Sequence, residues 1–189
     1  MGKQYQTLDG FLRNFIEKQH LFFVATAPLG NSGHLNLSPK GLDTFRILGS
    51  SQVAYLDHVG SGAETVAHLR ENGRIIIMFC AFEGSPRVVR LHGMGHAIEP
   101  PDRTWTDLRQ HFPVGPEGRA IICIDVQRMS DSCGFGIPEY HFVKHRPQLP
   151  TWSYKKGDAG LRLYQHTNNS QSIDGLPALR WLANQPARE

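Results

Sequence analysis

The chain has 189 residues, 40% of them hydrophobic, with a formal net charge of +3 and a pI near 8.9. That is long enough for one domain, residues 1–189, with a real core, and its basic residues are too interspersed with acids to form the dense stripe of a duplex binder. No apolar run reaches the roughly 18 residues of a membrane span, and the start MGKQYQT lacks the apolar core of a signal peptide.

Taken in order, Leu8, Phe11, Leu12, Phe15 and Ile16 make an i, i+3, i+4 stripe, which predicts an amphipathic helix over residues 8–19. Residues 20–27 (HLFFVATA) read as a buried strand. Gly30-Asn31-Ser32-Gly33 is a hairpin turn, and residues 34–38 alternate as a half-exposed second strand ended by Pro39-Lys40-Gly41. Residues 43–48 read as a short connection.

The next stretch, residues 51–82, organises the rest. Residues 53–57 (VAYLD) form a strand, and His58-Val59-Gly60-Ser61-Gly62 is a glycine-rich loop. A helix of about nine residues opens at Ala63 and stops at Asn72-Gly73, before the apolar strand 74–80. The free N–H groups at Gly62, Ala63 and Glu64, beside the Ser61 and Thr65 hydroxyls, are a candidate phosphate cradle. The plainer alternative is a loop that only turns the chain, with Ser61 as a cap.

Residues 87–99 read as a long strand with a bulge at Gly93 or Gly95. A second helix is expected from Asp102, as N-cap, to about His111. Residues 119–126 are another buried strand, residues 139–145 alternate as a further one, and residues 150–189 form a C-terminal helical extension with short helices around 161–164 and 177–182. The total is mainly β (α+β): six or seven strands in an antiparallel barrel with peripheral helices, the helix at 63–71 being an inserted crossover.

Three cysteines without a Cys-x-x-Cys pair fit reduced thiols in a cytoplasmic protein. Cys80 and Cys123 fall in apolar strands, and Cys133 is expected to pack. His92/His96 and His141/His145 each sit four apart, roughly 13 Å along a strand, too far for one ion without a bend, so no metal site is expected. Ser61 lacks the glycine two residues earlier that a hydrolase elbow needs. Lys40, Arg46, Arg87 and Arg90 could join the helix start around a phosphate, or could be solvated surface charges.

The order Ser38-Pro-Lys-Gly, Thr-Phe-Arg-Ile-Leu, Val-Ala-Tyr-Leu-Asp, Gly-Ser-Gly-Ala-Glu-Thr and then Asn72-Gly-Arg before an apolar strand resembles the pyridoxamine 5′-phosphate oxidase-related FMN-binding split-barrel family, over roughly residues 10–130. Ser132-Cys-Gly-Phe-Gly-Ile-Pro138 and Ser172-Ile-Asp-Gly-Leu-Pro177 resemble signatures of one uncharacterised branch. The resemblance implies a split barrel forming a homodimer with FMN at the subunit interface, and an FMN-dependent oxidoreductase acting on a small molecule, a nicotinamide being one possible donor. It assigns the strand end Ser38 and Lys40 to the flavin, with Arg46 as a substitute cation. It further assigns Ser61, Gly62 and Thr65 to the phosphate, Met78 and Phe79 to the strand beside the cofactor, and Arg87 to the partner's flavin. Two departures stand out. The family's Ser-Arg-Lys phosphate clamp falls near Ala63-Glu64-Thr65, without its cations, and its C-terminal Arg-x-His pair has no counterpart, which speaks against pyridoxamine phosphate oxidation. A non-catalytic flavin carrier, a deazaflavin protein, and a haem-binding split barrel using His92 or His96 are the alternatives.

Overall fold

A computed structural model describes residues 2–115 and 118–184. In chain order the elements are β1 (Gln4–Tyr5), α1 (Gly10–Ile16), β2 (Phe22–Thr26), β3 (Asn36–Lys40), β4 (Phe45–Ile47), β5 (Gln52–His58), α2 (Glu64–Asn72), β6 (Arg74–Cys80), β7 (Arg87–Ile98), α3 (Trp105–Arg109), β8 (Gly118–Cys133), α4 (Gln148–Asn168) and a closing 3₁₀ turn, Arg180–Asn184.

The strands form one antiparallel sheet in the order β3-β2-β6-β7-β8-β5-β4, with β1 beside β8. The sheet curls on itself. Phe45 of β4 and Phe79 of β6 lie far apart along the path, yet their ring centroids are 5.0 Å apart. Phe22 of β2 meets Phe45 at 5.1 Å and Tyr55 of β5 at 5.5 Å. This is the split-barrel fold, with an aromatic cluster closing the interior that the backbone ladder leaves open between its edges.

α2 is the crossover from β5 to β6, two strands that do not pair. It buries Val66, Ala67 and Leu69 in the main core. It ends at Gly73, whose φ of +71° and N–H bond to the Leu69 carbonyl make the left-handed stop the sequence predicts. The expected bulge falls between His92 and Gly93, where the register against β8 shifts. A β-carbon at Gly93 would lie 2.2 Å from the Asp125 carbonyl oxygen, so only glycine fits there.

Several expectations are corrected. Residues 43–48 are more than a connection, because Phe45–Ile47 pairs with β5 as an edge strand. The second strand runs through Pro39 to Lys40. It is also an edge, where proline's missing N–H can face away from the ladder. The second helix is only Trp105–Arg109, capped at Thr104 rather than Asp102. Residues 139–145 form no strand: their alternation is present, but β6, β7 and β8 already pair on both sides, and the segment instead runs extended beside Phe82 and Glu83. The helix around 161–164 is part of the long α4, kinked at Gly157, while Ala178, Leu179 and Leu182 return to the main core. Cys80 and Cys123 are buried, and burial pushes the Cys123 thiol up to about 11; Cys133 is exposed rather than packed.

Candidate functional site

The edge strand β3 alternates Asn36-Leu-Ser-Pro-Lys40, so its polar residues share one face while Leu37 and Pro39 are exposed on the other. The polar face opens into a groove bounded by β5 and the start of α2. There the Lys40 ammonium donates to Asp57 Oδ1 at 2.6 Å, and Arg119 Nε donates to Asp57 Oδ2 at 2.8 Å. Asp57 has no exposure at all. Burial works to raise its pKa, but Arg119 and Lys40 together outweigh it and bring the carboxyl down to about 2. Lys40 is thereby held as a fixed ammonium 5.9 Å from the Tyr55 ring centroid.

Asn36 ties the rest of the groove together. Its amide donates to Thr65 Oγ1 at 3.0 Å, and the Ser38 hydroxyl donates to its carbonyl oxygen at 2.9 Å. Beside them lies the fully buried Tyr55, whose phenol is next to the Thr65 hydroxyl. Burial, followed by the Asp57 charge, pushes that phenol well above its ordinary pKa, so it stays a neutral donor.

The loop at the start of α2 is more crowded than a bare cradle. Ser61 is exposed and makes no cap; the N-cap is Ala63. The Glu64 carboxylate folds back so far that a β-carbon at Gly62 would lie 2.2 Å from its Oε2. It accepts the Ile173 N–H at 3.3 Å, and Asn169 Nδ2 donates to the Gly60 carbonyl at 2.8 Å. The C-terminal segment therefore lies across this loop.

The structure brings Ser38, Lys40 and Thr65 together, with Ser61 and Gly62 at the same helix start. It does not bring the others there. Arg46 pairs with Asp43 and lies over Phe112. Arg87 pairs with the buried Asp131 at the start of β7. Phe79 is in the barrel core. Met78 is half-exposed on the outer face of the sheet, beside Phe23 and opposite Arg90 in the register. Sequence reasoning missed Asn36, Asp57, Tyr55 and Arg119. The available signal was a charge at the end of each apolar strand, Asp57 closing VAYLD and Arg119 opening RAIICIDV.

The outer face continues this pattern: Phe23, Ala25, Ile76 and Met78 are half-exposed and flanked by Arg90 and Arg128. These arginines bond the Ser132 and Ser130 hydroxyls, respectively, and among the described residues neither pairs with a carboxylate. His92 and His96 also lie on β7, and no group of three or more metal-ligating side chains occurs among the described residues. A separate cleft of about 960 Å³ opens between α1 and the extended segment 139–142.

The sequence model for pyridoxamine 5′-phosphate oxidase matches residues 8–133, which run from Leu8 at the entry to α1 to the end of β8. The chain belongs to the pyridoxamine 5′-phosphate oxidase family. It is 40% identical over 197 residues to the pyridoxamine 5′-phosphate oxidase family protein ustO of Aspergillus flavus, a match covering 93% of this chain and 77% of that protein. A crystal structure of a HupZ variant from Group A Streptococcus shares the fold, with a TM-score of 0.52 and 20% identity over 66% of this chain and 99% of that one. The oxidase-family match thus spans the sheet from β2 to β8 and ends before α4, so the groove lies inside it.

Proposed function

We propose that this protein is an FMN-dependent oxidoreductase of the cytoplasm that works as a homodimer on a small molecule. Membership of the oxidase family across residues 8–133 carries this reading. The groove fits such a cofactor: it offers a fixed ammonium, two hydroxyls and an amide on one strand face and helix start. In this reading Ser38 holds the polar rim of the flavin, and Lys40, with Thr65, Ser61 and Gly62, approaches its phosphate. Met78 on the outer face and Arg87 meet the second subunit's cofactor. The half-exposed apolar strip from Phe23 to Ile76, with Arg90 and Arg128 beside it, is the surface that the second subunit covers. The flavin, when bound, would supply hydride or electron-pair chemistry that no side chain here can. The chain's own part is to hold the Lys40 ammonium in place through Asp57, which Arg119 braces from its other oxygen.

The phosphate assignment makes a sharp demand, because the Glu64 carboxylate now rests against Gly62. It must turn away before a dianion can sit on those amides. Titration of FMN and riboflavin by flavin fluorescence quenching tests this. Lys40→Ala should weaken FMN by roughly ten- to a hundredfold and riboflavin much less, since a hydrogen bond to a charged group contributes on the order of 1–3 kcal/mol. Glu64→Gln should tighten FMN several-fold and leave riboflavin alone. No effect of Glu64→Gln on FMN would remove the helix start from the site, and equal losses for both ligands with Lys40→Ala would remove Lys40 from the phosphate.

A further inference from the structure

The cleft between α1 and residues 139–142 shares only Arg87 with the residues assigned to the flavin, and its walls are unusual. Tyr140 stacks on Phe82 with ring centroids 5.6 Å apart and planes 26° from parallel. Phe142 stacks on His20 at 3.7 Å and 16°. On the opposite side Phe11 and Phe15 of α1 stack at 6.2 Å and 28°. Three near-parallel ring pairs, contributed by three separate chain segments, thus border one space of about 960 Å³.

The segment that forms one wall is pinned, although it has no regular structure. The Tyr140 N–H donates to the Phe82 carbonyl at 2.8 Å, and the Phe142 N–H donates to Glu83 Oε1 at 3.1 Å. Yet Tyr140 remains 60% and Phe142 42% exposed. Rings held in place while exposed present their faces to whatever enters. The charges at the rim are modest. Arg87 is spent on the buried Asp131, and Glu83 holds the segment, while Lys18 of the α1 exit has no carboxylate partner among the described residues. One free ammonium beside aromatic walls suits a single negative charge on a flat ring, and falls short of the several donors a phosphate dianion takes.

We propose that this cleft binds a planar aromatic monoanion, an aryl carboxylate in chemical class, with its ring between the α1 and 139–142 walls and its carboxylate toward Lys18. The site does not depend on flavin binding. The test uses the full chain, with and without FMN, titrated calorimetrically with 2-naphthoate, 2-naphthylmethanol and cyclohexanecarboxylate. The expected result is one naphthoate per chain, bound at least about fivefold more tightly than cyclohexanecarboxylate, as ring stacking requires. Lys18→Gln, at an exposed position, should weaken naphthoate by about three- to tenfold and leave naphthylmethanol unchanged. Phe142→Ala should weaken both naphthyl compounds and leave the FMN titration unchanged. No naphthoate binding, or equal binding of the cyclohexane acid, overturns the proposal. So does a matching loss of FMN affinity in Phe142→Ala, which would make the cleft the flavin's own ring slot. A Phe142→Ala protein that scatters light as half the native mass, with naphthoate inert toward native protein, would assign these walls to a second copy of the chain instead. Naphthoate binding in a protein that takes up no FMN would leave this site standing and the flavin reading fallen.

Discussion

Two buried acids each face two cations, and their proton affinities move in opposite directions. Asp57 is brought down to about 2. Glu99, only 1% exposed, is raised: burial is the largest cause, and neighbouring Asp102 adds to it, against the Trp181 N–H, Arg70 and Arg180. The count of cations is the same, so it cannot set the sign. What differs is where the cations stand. Those of Asp57 are themselves sheltered, the Arg119 side chain at 4% and Lys40 at 21% exposure, and each takes its own oxygen. Arg180, on the Glu99 side, is 59% exposed, 3.7 Å away and shared with Asp102. Water screens an exposed cation, and a shared one is partly cancelled. A site that must keep a fixed charge gets it by burying the counter-ions too; a clasp that only ties the C-terminal segment to the barrel needs less.

The largest expected effect comes from Asp57→Asn, which leaves two sheltered cations facing a neutral amide. Breaking a buried pair in this way typically costs about 3–5 kcal/mol, to be read as a shift in the urea unfolding curve. A loss under about 1 kcal/mol would erase the contrast between the two acids.

The pH dependence separates them next. Asp57 titrates near 2 when folded against 3.8 for an ordinary aspartate, so its contribution of about 2 kcal/mol is complete above the higher value and is lost as pH falls toward the lower one. Glu99 has the opposite sign. Its folded pKa lies above the usual 4.5, so its contribution is complete below that value and declines as pH rises through the folded pKa. Thermal melts from pH 2 to 7 should show the acid-side slope reduced in Asp57→Asn and retained in Glu99→Gln. Retention of the full acid slope in Asp57→Asn would mean that other carboxylates control it.

Smaller effects are expected around the clasp. Arg180→Ala removes a mostly exposed partner and should cost about 1 kcal/mol or less, with faster protease cleavage after α4 as a more sensitive reading. Smallest of all is Glu99→Gln, in which a neutral carbonyl can still accept the Trp181 N–H. We expect a change within about 1 kcal/mol; a loss as large as that of Asp57→Asn would show the clasp to be as tightly braced as the groove.

Much of this molecule could be read along the chain. The α1 stripe, the VAYLD and RIIIMFC strands, the Asn72-Gly73 stop and the Gly93 bulge all rest on local rules: periodicity, backbone freedom at glycine, and apolar runs long enough for a strand. Ser38, Lys40 and Thr65 were legible as a group because their order matches the oxidase-family pattern. The four residues that complete the groove were not. Asn36, Asp57, Tyr55 and Arg119 come from three different strands: pairing of β5 with β8 joins Asp57 to Arg119, and only the curl brings Asn36 of β3 toward them.

Sequence alone determined the fold class and the position of the crossover helix, because each depends on residues close together in the chain. Tertiary structure decided which charges are available. It locked Lys40 to Asp57, Arg46 to Asp43 and Arg87 to Asp131, laid Glu64 over Gly62, and left residues 139–145 outside the sheet. Those outcomes depend on distances and on burial, which strengthens some pairs and screens others. Neither quantity exists until the sheet has closed.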